Sequence, residues 1–288
     1  MGFKIPGTEK TGMFLAAGDN LEKAAGVLLG CPLDDTGSFR TGSRFAPACL
    51  RMVSAALEEH SLYRKKDLRD LSFYDAGDLI LAPGNTEASL DVITNTVFPL
   101  LQKDKKPFLL GGEHTVTYGA VRGCLRKYPE VTVLYLDAHA DMRSAYRGAP
   151  YSHASVAYYL RQLEGVSLYQ FGIRSAEREE SKGLPEESTF FFSLKEALTE
   201  LLPYLKDRFL YISLDIDIVD PAFAPGVTAP EPGGISSGEL LEIFPLLEKY
   251  KNNIIAFDLV EICPPFDPSQ ITALLGAKII REALLTFL

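Results

Sequence analysis

Two short acidic segments carry most of the chemistry that this chain could perform. They are Asp-Ala-His-Ala-Asp at 137–141 and Asp-Ile-Asp at 215–217, and each begins where an apolar run ends. In extended backbone, residues at i, i+2 and i+4 project to one face. We therefore expect Asp137, His139 and Asp141 to converge on one point, and the two acids of the second segment to converge likewise. Two loops would then supply five ligands of the kind that metals take.

Histidines favour this metal hypothesis over the alternative that the acids are solvated loop residues or helix caps. The chain has four histidines. His139 lies inside the first acidic segment, and His114 ends a Gly-Gly-Glu-His motif directly after the apolar run 107–110. His60 lies in a charged stretch and is expected at the surface. Three strand ends therefore offer His or Asp side chains, which a chance distribution would rarely produce.

The combined ligand set is rich in oxygen and contains no thiolate. It consists of four carboxylates and two imidazoles, namely His114, Asp137, His139, Asp141, Asp215 and Asp217. Such donors favour Mn²⁺ or Mg²⁺ over a structural zinc ion. Six ligands are too many for one catalytic ion with an open position, whereas two ions about 3.5–4 Å apart could lower the pKa of a shared water toward neutrality. We expect hydrolytic chemistry.

A calcium-binding loop is the competing metal hypothesis for the second segment. An EF-hand loop beginning at Asp215 needs Gly at its sixth position and an acid at its twelfth. The chain has Asp220 and Gly226 there. This excludes the EF-hand, and Asp220, which precedes Pro221, is expected to form a turn.

The segments that position these residues alternate between strand-like and helix-like patterns. The predicted strands cover residues 26–30, 71–75, 108–111, 132–137, 167–173, 189–193, 209–215 and 254–260. The predicted helices cover residues 46–57, 87–102, 116–127, 152–163, 194–205, 237–251 and 269–287. This alternation predicts parallel strands joined by right-handed crossovers, and the continuous apolar strands predict a sheet covered on both faces. An open doubly wound sheet and a TIM barrel share the pattern, and both place their sites at the carboxyl ends of the strands.

Composition and charge limit the class of protein. The 288 residues are 47% hydrophobic and 23% charged, without a repeat or linker, so we expect one catalytic domain over residues 1–288. No apolar run approaches about 18 residues, and the run at 13–17 is too short for a signal peptide core, so we expect a cytoplasmic protein without a membrane span. Four scattered cysteines are expected as reduced thiols.

The net charge of −9 argues against a nucleic-acid partner and is compatible with a cationic substrate.

Three motifs together resemble the signature of the ureohydrolase family, the arginases and agmatinases. They are Gly-Gly-Glu-His ending at His114, the segment 137–141, and Ser-Leu-Asp-Ile-Asp-Ile-Val-Asp-Pro-Ala-Phe-Ala-Pro-Gly at 213–226. They occur in the order and with the spacing of the family. Residues 30–34 and 40–47 are similar to its N-terminal stretch and Glu-Ile-Cys-Pro at 261–264 to its C-terminal one, so the resemblance spans nearly the whole chain.

The resemblance implies an α/β fold with three α/β/α layers, a mostly parallel sheet of about eight strands and two Mn²⁺ ions per subunit. It assigns the same six residues as metal ligands. It also implies that Glu261 receives the guanidinium group of the substrate, since a carboxylate can accept two parallel hydrogen bonds from a planar cation. The alternative for Glu261 is a helix-capping or solvated acid.

Two further side chains receive roles from the resemblance. His153 matches a non-ligand His that is expected to shuttle protons, which suits an imidazole. Many relatives have Gly after this His, and this chain has Ala154. The alternative for His153 is a capping or packing role at the start of the helix 152–163. Asp141 is expected to help stabilise a tetrahedral intermediate.

The resemblance also favours a substrate without a carboxylate. The loop 142–151 lacks the Asn of the arginase loop that binds the carboxylate of the amino acid, and residues 172–175 and 228–234 look like the agmatinase branch. We expect a small cationic guanidino substrate, first agmatine, with putrescine and urea as products. Glu177 could lie near the far ammonium group, although an acid at a helix N-terminus is the alternative.

Several other functions share the same catalytic residues. They are those of an arginase, an aminopropylagmatine or guanidinobutyrate ureohydrolase, and a formiminoglutamase. An inactive metal-binding homologue is the alternative from another class. Relatives form trimers or hexamers, so the resemblance also implies a homo-oligomer.

Overall fold

The computed structural model describes residues 5–184 and 193–288, and an open sheet lies at its centre. The strands of the described residues are β1 (Thr8–Glu9), β2 (Gly26–Cys31), β3 (His60–Ser61), β4 (Lys66–Asp67), β5 (Phe73–Leu79), β6 (Lys106–Gly111), β7 (Val131–Leu136), β8 (Val166–Phe171), β9 (Leu210–Asp215) and β10 (Ile254–Val260). Strands β3 and β4 form a separate antiparallel pair, and the other eight form the sheet.

The order of strands across the sheet is β1-β5-β2-β6-β10-β9-β7-β8. Every neighbouring pair is parallel except β1 and β5. Among the described residues the sheet ends at β1 and β8, which do not pair with each other, so it is open rather than closed into a barrel. This outcome decides between the two architectures that the alternating pattern allowed.

Helices cover both faces of the sheet. They are α1 (Ala46–Ser54), α2 (Thr86–Gln102), α3 (Val116–Leu125), α4 (Val156–Gln162), α5 (Arg178–Ser181), α6 (Leu194–Leu201), α7 (Ser237–Leu241), α8 (Ile243–Leu247) and α9 (Ile271–Phe287). Helices α2, α3 and α4 pack on one face, and α1 and α6 to α9 pack on the other. The predicted three-layer α/β/α class is confirmed. No helix within the described ranges has the length and apolarity that crossing a membrane requires.

The two hydrophobic cores explain why the central strands are apolar at every position. In β2, Val27 and Leu29 belong to the core under α2 and α3, whereas Leu28 between them belongs to the core under α1 and α9. Successive side chains of a strand point to opposite faces, so a sheet buried on both faces needs apolar residues at odd and even positions alike.

Two predicted elements differ most from the structure. Strand β5 continues to Leu79 because Arg51 pairs with the buried acids Asp75 and Asp78, whose charges conceal the strand in the sequence. The predicted helix 237–251 is divided into α7, α8 and a 3-10 turn, and α8 contains Pro245, whose missing N–H cannot continue the helix from the preceding turn. The predicted strand 189–193 lies outside the described residues except for Ser193, which caps α6.

Candidate metal centre

Four adjacent strands at the middle of the sheet carry the predicted site residues. Strands β6, β10, β9 and β7 are neighbours, and they lead into His114, Glu261, Asp215 and Asp137. Their carboxyl ends lie at one level, since Leu136 of β7 pairs with Leu214 of β9 and Val260 of β10 pairs with Asp215. Open α/β sheets place their sites at this edge.

The first group of ligands surrounds His114. Its Nδ1 atom lies 2.9 Å from Oδ2 of Asp137, 3.1 Å from Oδ2 of Asp215 and 3.7 Å from Oδ2 of Asp141. All four residues are buried. Three carboxylate oxygens and one imidazole nitrogen therefore point at the same small volume.

The second group surrounds His139. Its Nδ1 atom lies 2.9 Å from Oδ2 of Asp217 and 3.6 Å from Oδ1 of Asp137. Asp137 belongs to both groups, with Oδ2 toward His114 and Oδ1 toward His139. One carboxylate shared between two sets of donors is the arrangement of a bridging ligand in a two-metal site.

The local backbone differs from the extended conformation on which the spacing argument was based. Asp217 lies in the 3-10 turn Ile216–Ile218, and its N–H donates to Oδ1 of Asp215 over 2.9 Å. Asp141 has a left-handed backbone with φ of 51°. The residues identified from their spacing do converge, but the premise of an extended backbone was wrong at Asp141 and Asp217, where a left-handed residue and a 3-10 turn position the side chains.

The donor set itself indicates a need for cations. Oδ2 of Asp137 is buried and accepts no hydrogen bond, although Nδ1 of His114 is 2.9 Å away. An orphaned buried carboxylate oxygen is costly unless a cation compensates it. Two divalent ions would satisfy this oxygen, and the surrounding residues fit them.

The pKa values of these acids support the same conclusion. Burial raises the pKa of Asp141 and of Asp215 well above the ordinary value, and the neighbouring carboxylates add to the effect. Burial alone would also raise the pKa of Asp137, but its contacts with His114 and His139 outweigh burial and lower it. The two imidazoles outweigh burial at the carboxylate between them but not at Asp141 and Asp215, which calls for more positive charge in this volume.

A chain of buried hydroxyl groups holds the imidazole of His114. Its Nε2 atom lies 2.9 Å from Oγ of Ser213, which donates to Oδ1 of Asp258 over 2.9 Å. Thr117 and Tyr211 also donate to Asp258. Because the hydroxyl proton of Ser213 is committed to Asp258, Ser213 accepts from Nε2–H, and the lone pair of Nδ1 is left for a metal ion.

The variant Ser213→Ala should lower metal affinity by about 10-fold to 100-fold, because the partner that orients a ligating imidazole would be lost. Competition between the protein and a chelator of known affinity measures this change. Ser54→Ala is the matched control, since Ser54 is also buried but hydrogen-bonds to the backbone of Leu15 and Arg51. Wild-type affinity in Ser213→Ala would contradict the role of this hydroxyl group.

Glu261 lies beside the two ligand groups and is buried. Its Oε1 atom accepts from the backbone N–H of His114 over 2.5 Å, and its Oε2 atom accepts from the hydroxyl group of Thr228. Burial raises the pKa of Glu261 to about 8. Each carboxylate oxygen can accept a further hydrogen bond, and Glu261 lines the same cavity as the ligands. It is neither solvated nor the cap of a described helix.

His153 lies on another wall of this cavity, at the start of the 3-10 turn before α4. Its Nδ1 atom is 3.1 Å from Oγ1 of Thr36, and its Nε2 atom is 3.1 Å from Oγ of Ser38. Burial lowers the pKa of His153 to about 4, and the positive charges of His139 and Arg143 add to this effect. A neutral imidazole therefore faces the cavity.

The cavity above the ligands has a volume of about 260 Å³, and Glu177 lies at its mouth. Glu177 is the N-cap of α5 in a capping box with Glu180, as the helix-terminus alternative predicts. Its carboxylate also pairs with Arg143 over 3.0 Å and remains largely exposed. That Glu177 contacts the far ammonium group of a substrate remains a prediction.

Several residues of the site were not identified from the sequence. Tyr135 stacks on the ring of His114 and donates to Oδ2 of Asp141 over 2.6 Å, but in the sequence it is one more apolar position of β7. Ser213 and Thr228 lie inside quoted motifs, which was a usable signal. Thr36 and Ser38 lie in a Gly-containing loop that shows no periodicity.

Comparisons with known proteins show what this chain is similar to. A model of the Arginase family matches residues 24–286. The chain is 42% identical over 278 residues to an agmatinase of Bacillus subtilis (strain 168), covering 96% of each chain. It is 34% identical to the N(1)-aminopropylagmatine ureohydrolase of Thermococcus kodakarensis, covering 88% of each. The solved structure of an agmatine ureohydrolase of Thermoplasma volcanium superposes with a TM-score of 0.83 at 31% identity, covering 96% of this chain and 94% of the other.

Proposed function

This chain belongs to the arginase family, and from that premise we propose that it hydrolyses agmatine to putrescine and urea. Membership makes it a hydrolase of guanidino C–N bonds. The observation that carries the proposal is the shared position of Asp137 between two ligand groups on the floor of a small cavity. Relatives about 40% identical over nearly the whole chain bear the name agmatinase.

The proposed mechanism assigns the six ligands to two Mn²⁺ ions, which when bound would activate a water molecule for attack on the guanidinium carbon. Glu261 accepts hydrogen bonds from the guanidinium N–H groups and so fixes the position of that carbon. Asp141 belongs to the ligand group of His114 and also lines the cavity, so it accepts a hydrogen bond at the developing tetrahedral centre. His153, which is neutral at rest, takes up at Nε2 the proton that the attacking water loses and passes it to the departing amine nitrogen.

The charges at the mouth of the cavity favour agmatine over arginine. Among the described residues that line the cavity, Arg143 is the one arginine or lysine, and it pairs with Glu177 and approaches Glu180 to 3.5 Å. A substrate carboxylate would find no unpaired cation of this kind, whereas an ammonium group would meet an excess of negative charge. An aminopropylagmatine ureohydrolase is the second candidate, because that substrate is also cationic at its far end and a relative bears that name.

The experiment that tests the proposal is urea release from a panel of guanidines by the Mn²⁺-loaded protein. The panel contains agmatine, aminopropylagmatine, guanidinobutyrate, arginine and formiminoglutamate, and the amine product is identified for each. We expect the highest kcat/KM with agmatine and putrescine as its amine product. A higher kcat/KM with another member of the panel would make that compound the assigned substrate. No urea from any member would contradict the enzyme assignment and favour an inactive metal-binding homologue.

Glu177→Gln should raise the KM for agmatine by about threefold to tenfold with kcat nearly unchanged, since an exposed ionic contact with the far ammonium group is equal in the ground and transition states. Steady-state kinetics measure the change. Glu179→Gln is the control, because Glu179 is a neighbouring exposed acid paired with Lys182. An unchanged KM in Glu177→Gln would assign Glu177 to helix capping alone.

The remaining parts of the proposal concern the state of the protein. We propose one catalytic domain over residues 1–288, Mn²⁺ as the physiological ion, a place in putrescine formation, and a homo-oligomer, trimer or hexamer, as the family resemblance implies. We also propose a cytoplasmic location, which four free cysteines support because cytosolic thiols stay reduced. Sedimentation of the Mn²⁺-loaded protein measures the oligomeric state.

A further inference from the structure

We propose that Thr36 is a positioning residue that links His153 to the buried carboxylate of Glu113 and fixes the proton on Nδ1 of the imidazole. The inference deepens the proposed function and rests on it, since it concerns how the proton-shuttling side chain is oriented. Neither Thr36 nor Glu113 contacts a substrate in this account. They act through His153.

The first step is the direction of the hydrogen bond from Thr36 to Glu113. The carboxylate of Glu113 is buried, and it accepts from the backbone N–H of Thr36 over 2.8 Å and from its hydroxyl group over 3.0 Å. The hydroxyl group of Thr115 is a third donor, at 2.8 Å. Because three donors converge on this carboxylate, it serves as the acceptor, and the single hydroxyl proton of Thr36 is committed to it.

The second step follows from counting the lone pairs of Thr36 Oγ1. The backbone N–H of His153 donates to this oxygen over 3.0 Å, which occupies one lone pair. The other lone pair of Oγ1 faces Nδ1 of the His153 imidazole at 3.1 Å. With no proton of its own left to give, Thr36 can only accept here, so Nδ1 carries the proton. The lone pair of Nε2 then faces Ser38, whose hydroxyl group is the donor.

The backbone holds Thr36 in this position relative to the metal centre. The N–H groups of Gly112 and Glu113 donate to the carbonyl oxygens of Cys31 and Leu33, each over 2.8 Å. A Cβ atom at Gly112 would lie 1.9 Å from the carbonyl oxygen of Leu33, so only glycine allows this close approach. The loop that carries Thr36 is therefore fixed against the Gly-Gly-Glu-His motif.

This arrangement gives His153 one defined function. Its Nε2 atom is the acceptor that can take up a proton, while Nδ1–H remains bonded to Thr36 in both protonation states. A base oriented by a third group through the other ring nitrogen is the general design of a catalytic His. Without Thr36, the ring could rotate or carry its proton on Nε2, where it cannot accept another.

The test is the variant Thr36→Val, which keeps the shape of the side chain and removes the hydroxyl group. We expect kcat for agmatine to fall about 10-fold to 100-fold, because the partner that orients the imidazole is lost while the imidazole itself remains, with KM within about threefold. Thr36→Ser keeps the hydroxyl group and should retain kcat within about threefold. Metal content should be unchanged in both variants.

A double-mutant cycle separates positioning from general damage to the fold. If Thr36 acts through His153, adding Thr36→Val to His153→Ala should reduce kcat by less than about twofold beyond the single His153→Ala change. Losses that multiply in the double variant would overturn the proposal, as would wild-type kcat in Thr36→Val. Absence of urea from the wild-type protein itself would instead refute the proposed function.

Nitrogen NMR of the wild-type imidazole tests the proposal without turnover. In protein labelled with ¹⁵N-histidine and loaded with diamagnetic Mg²⁺, the His153 signals, assigned by their loss in His153→Ala, should show a protonated Nδ1 and an unprotonated Nε2. This measurement decides the question even if Thr36→Val fails to fold. The opposite tautomer would overturn the inference.

Discussion

Replacement of Asp137 by Asn is expected to reduce urea release by at least about 10³-fold and to lower the metal content of both ligand groups at once. The reason is its shared position, with Oδ2 2.9 Å from His114 and Oδ1 3.6 Å from His139. An amide keeps one oxygen ligand and loses the negative charge, so it cannot bridge two cations. The measurements are metal per chain by mass spectrometry and urea release from agmatine.

The control for this variant is Asp220→Asn, in the motif that carries Asp215 and Asp217. Asp220 accepts hydrogen bonds from the backbone of Ala222, Gly233 and Gly234 and belongs to neither ligand group. Asp220 forms a turn, as the Asp-Pro pair predicted. The Asp220→Asn variant should therefore retain both ions and most of the activity. Two tightly bound ions per chain in Asp137→Asn would contradict the bridging assignment.

Glu261→Gln should have the second largest effect, with both ions retained and kcat/KM lowered by at least about 10²-fold, which is a few kcal/mol of transition-state binding. The carboxylate is buried, and each oxygen accepts one hydrogen bond from the protein. The amide of Gln turns one acceptor into a donor, which faces either the N–H of His114 or the hydroxyl group of Thr228. It also loses the charge that attracts a guanidinium group.

Metal analysis and thermal unfolding of Glu261→Gln provide its controls. An unchanged metal content assigns the loss of activity to the substrate rather than to the ions. Glu282→Gln, at another buried glutamate that pairs with Arg281, shows how much activity a variant at an unrelated buried acid loses. Near-wild-type turnover of Glu261→Gln would refute the proposed guanidinium contact.

The strands that carry the site were predictable because each is a continuous apolar run between turn signals. The predicted strand 254–260 coincides with β10, and β6, β7 and β9 were predicted within two residues of their ends. Strand β1 was not predicted, since two residues form no pattern, and it pairs with the far end of β5. Short strands depend on partners that a local pattern does not contain.

The ligand positions were predictable for a similar reason, because the carboxyl ends of parallel strands meet at one edge. What the sequence could not show were contacts between loops distant in the chain. Thr36 and Glu113 are 77 positions apart, and Thr36 and His153 are 117 apart. Hydroxyl groups in loops obey no period, so only the fold reveals that Thr36 and Ser38 flank the imidazole of His153.

The central claim, that this chain releases urea through two ions sharing Asp137, is tested most directly by titrating Mn²⁺ into metal-free protein while measuring urea release from agmatine. We predict no turnover in the metal-free protein, a rise with added Mn²⁺, and a plateau at two tightly bound ions per chain. Full activity without metal, or a plateau at one ion per chain, would contradict the account.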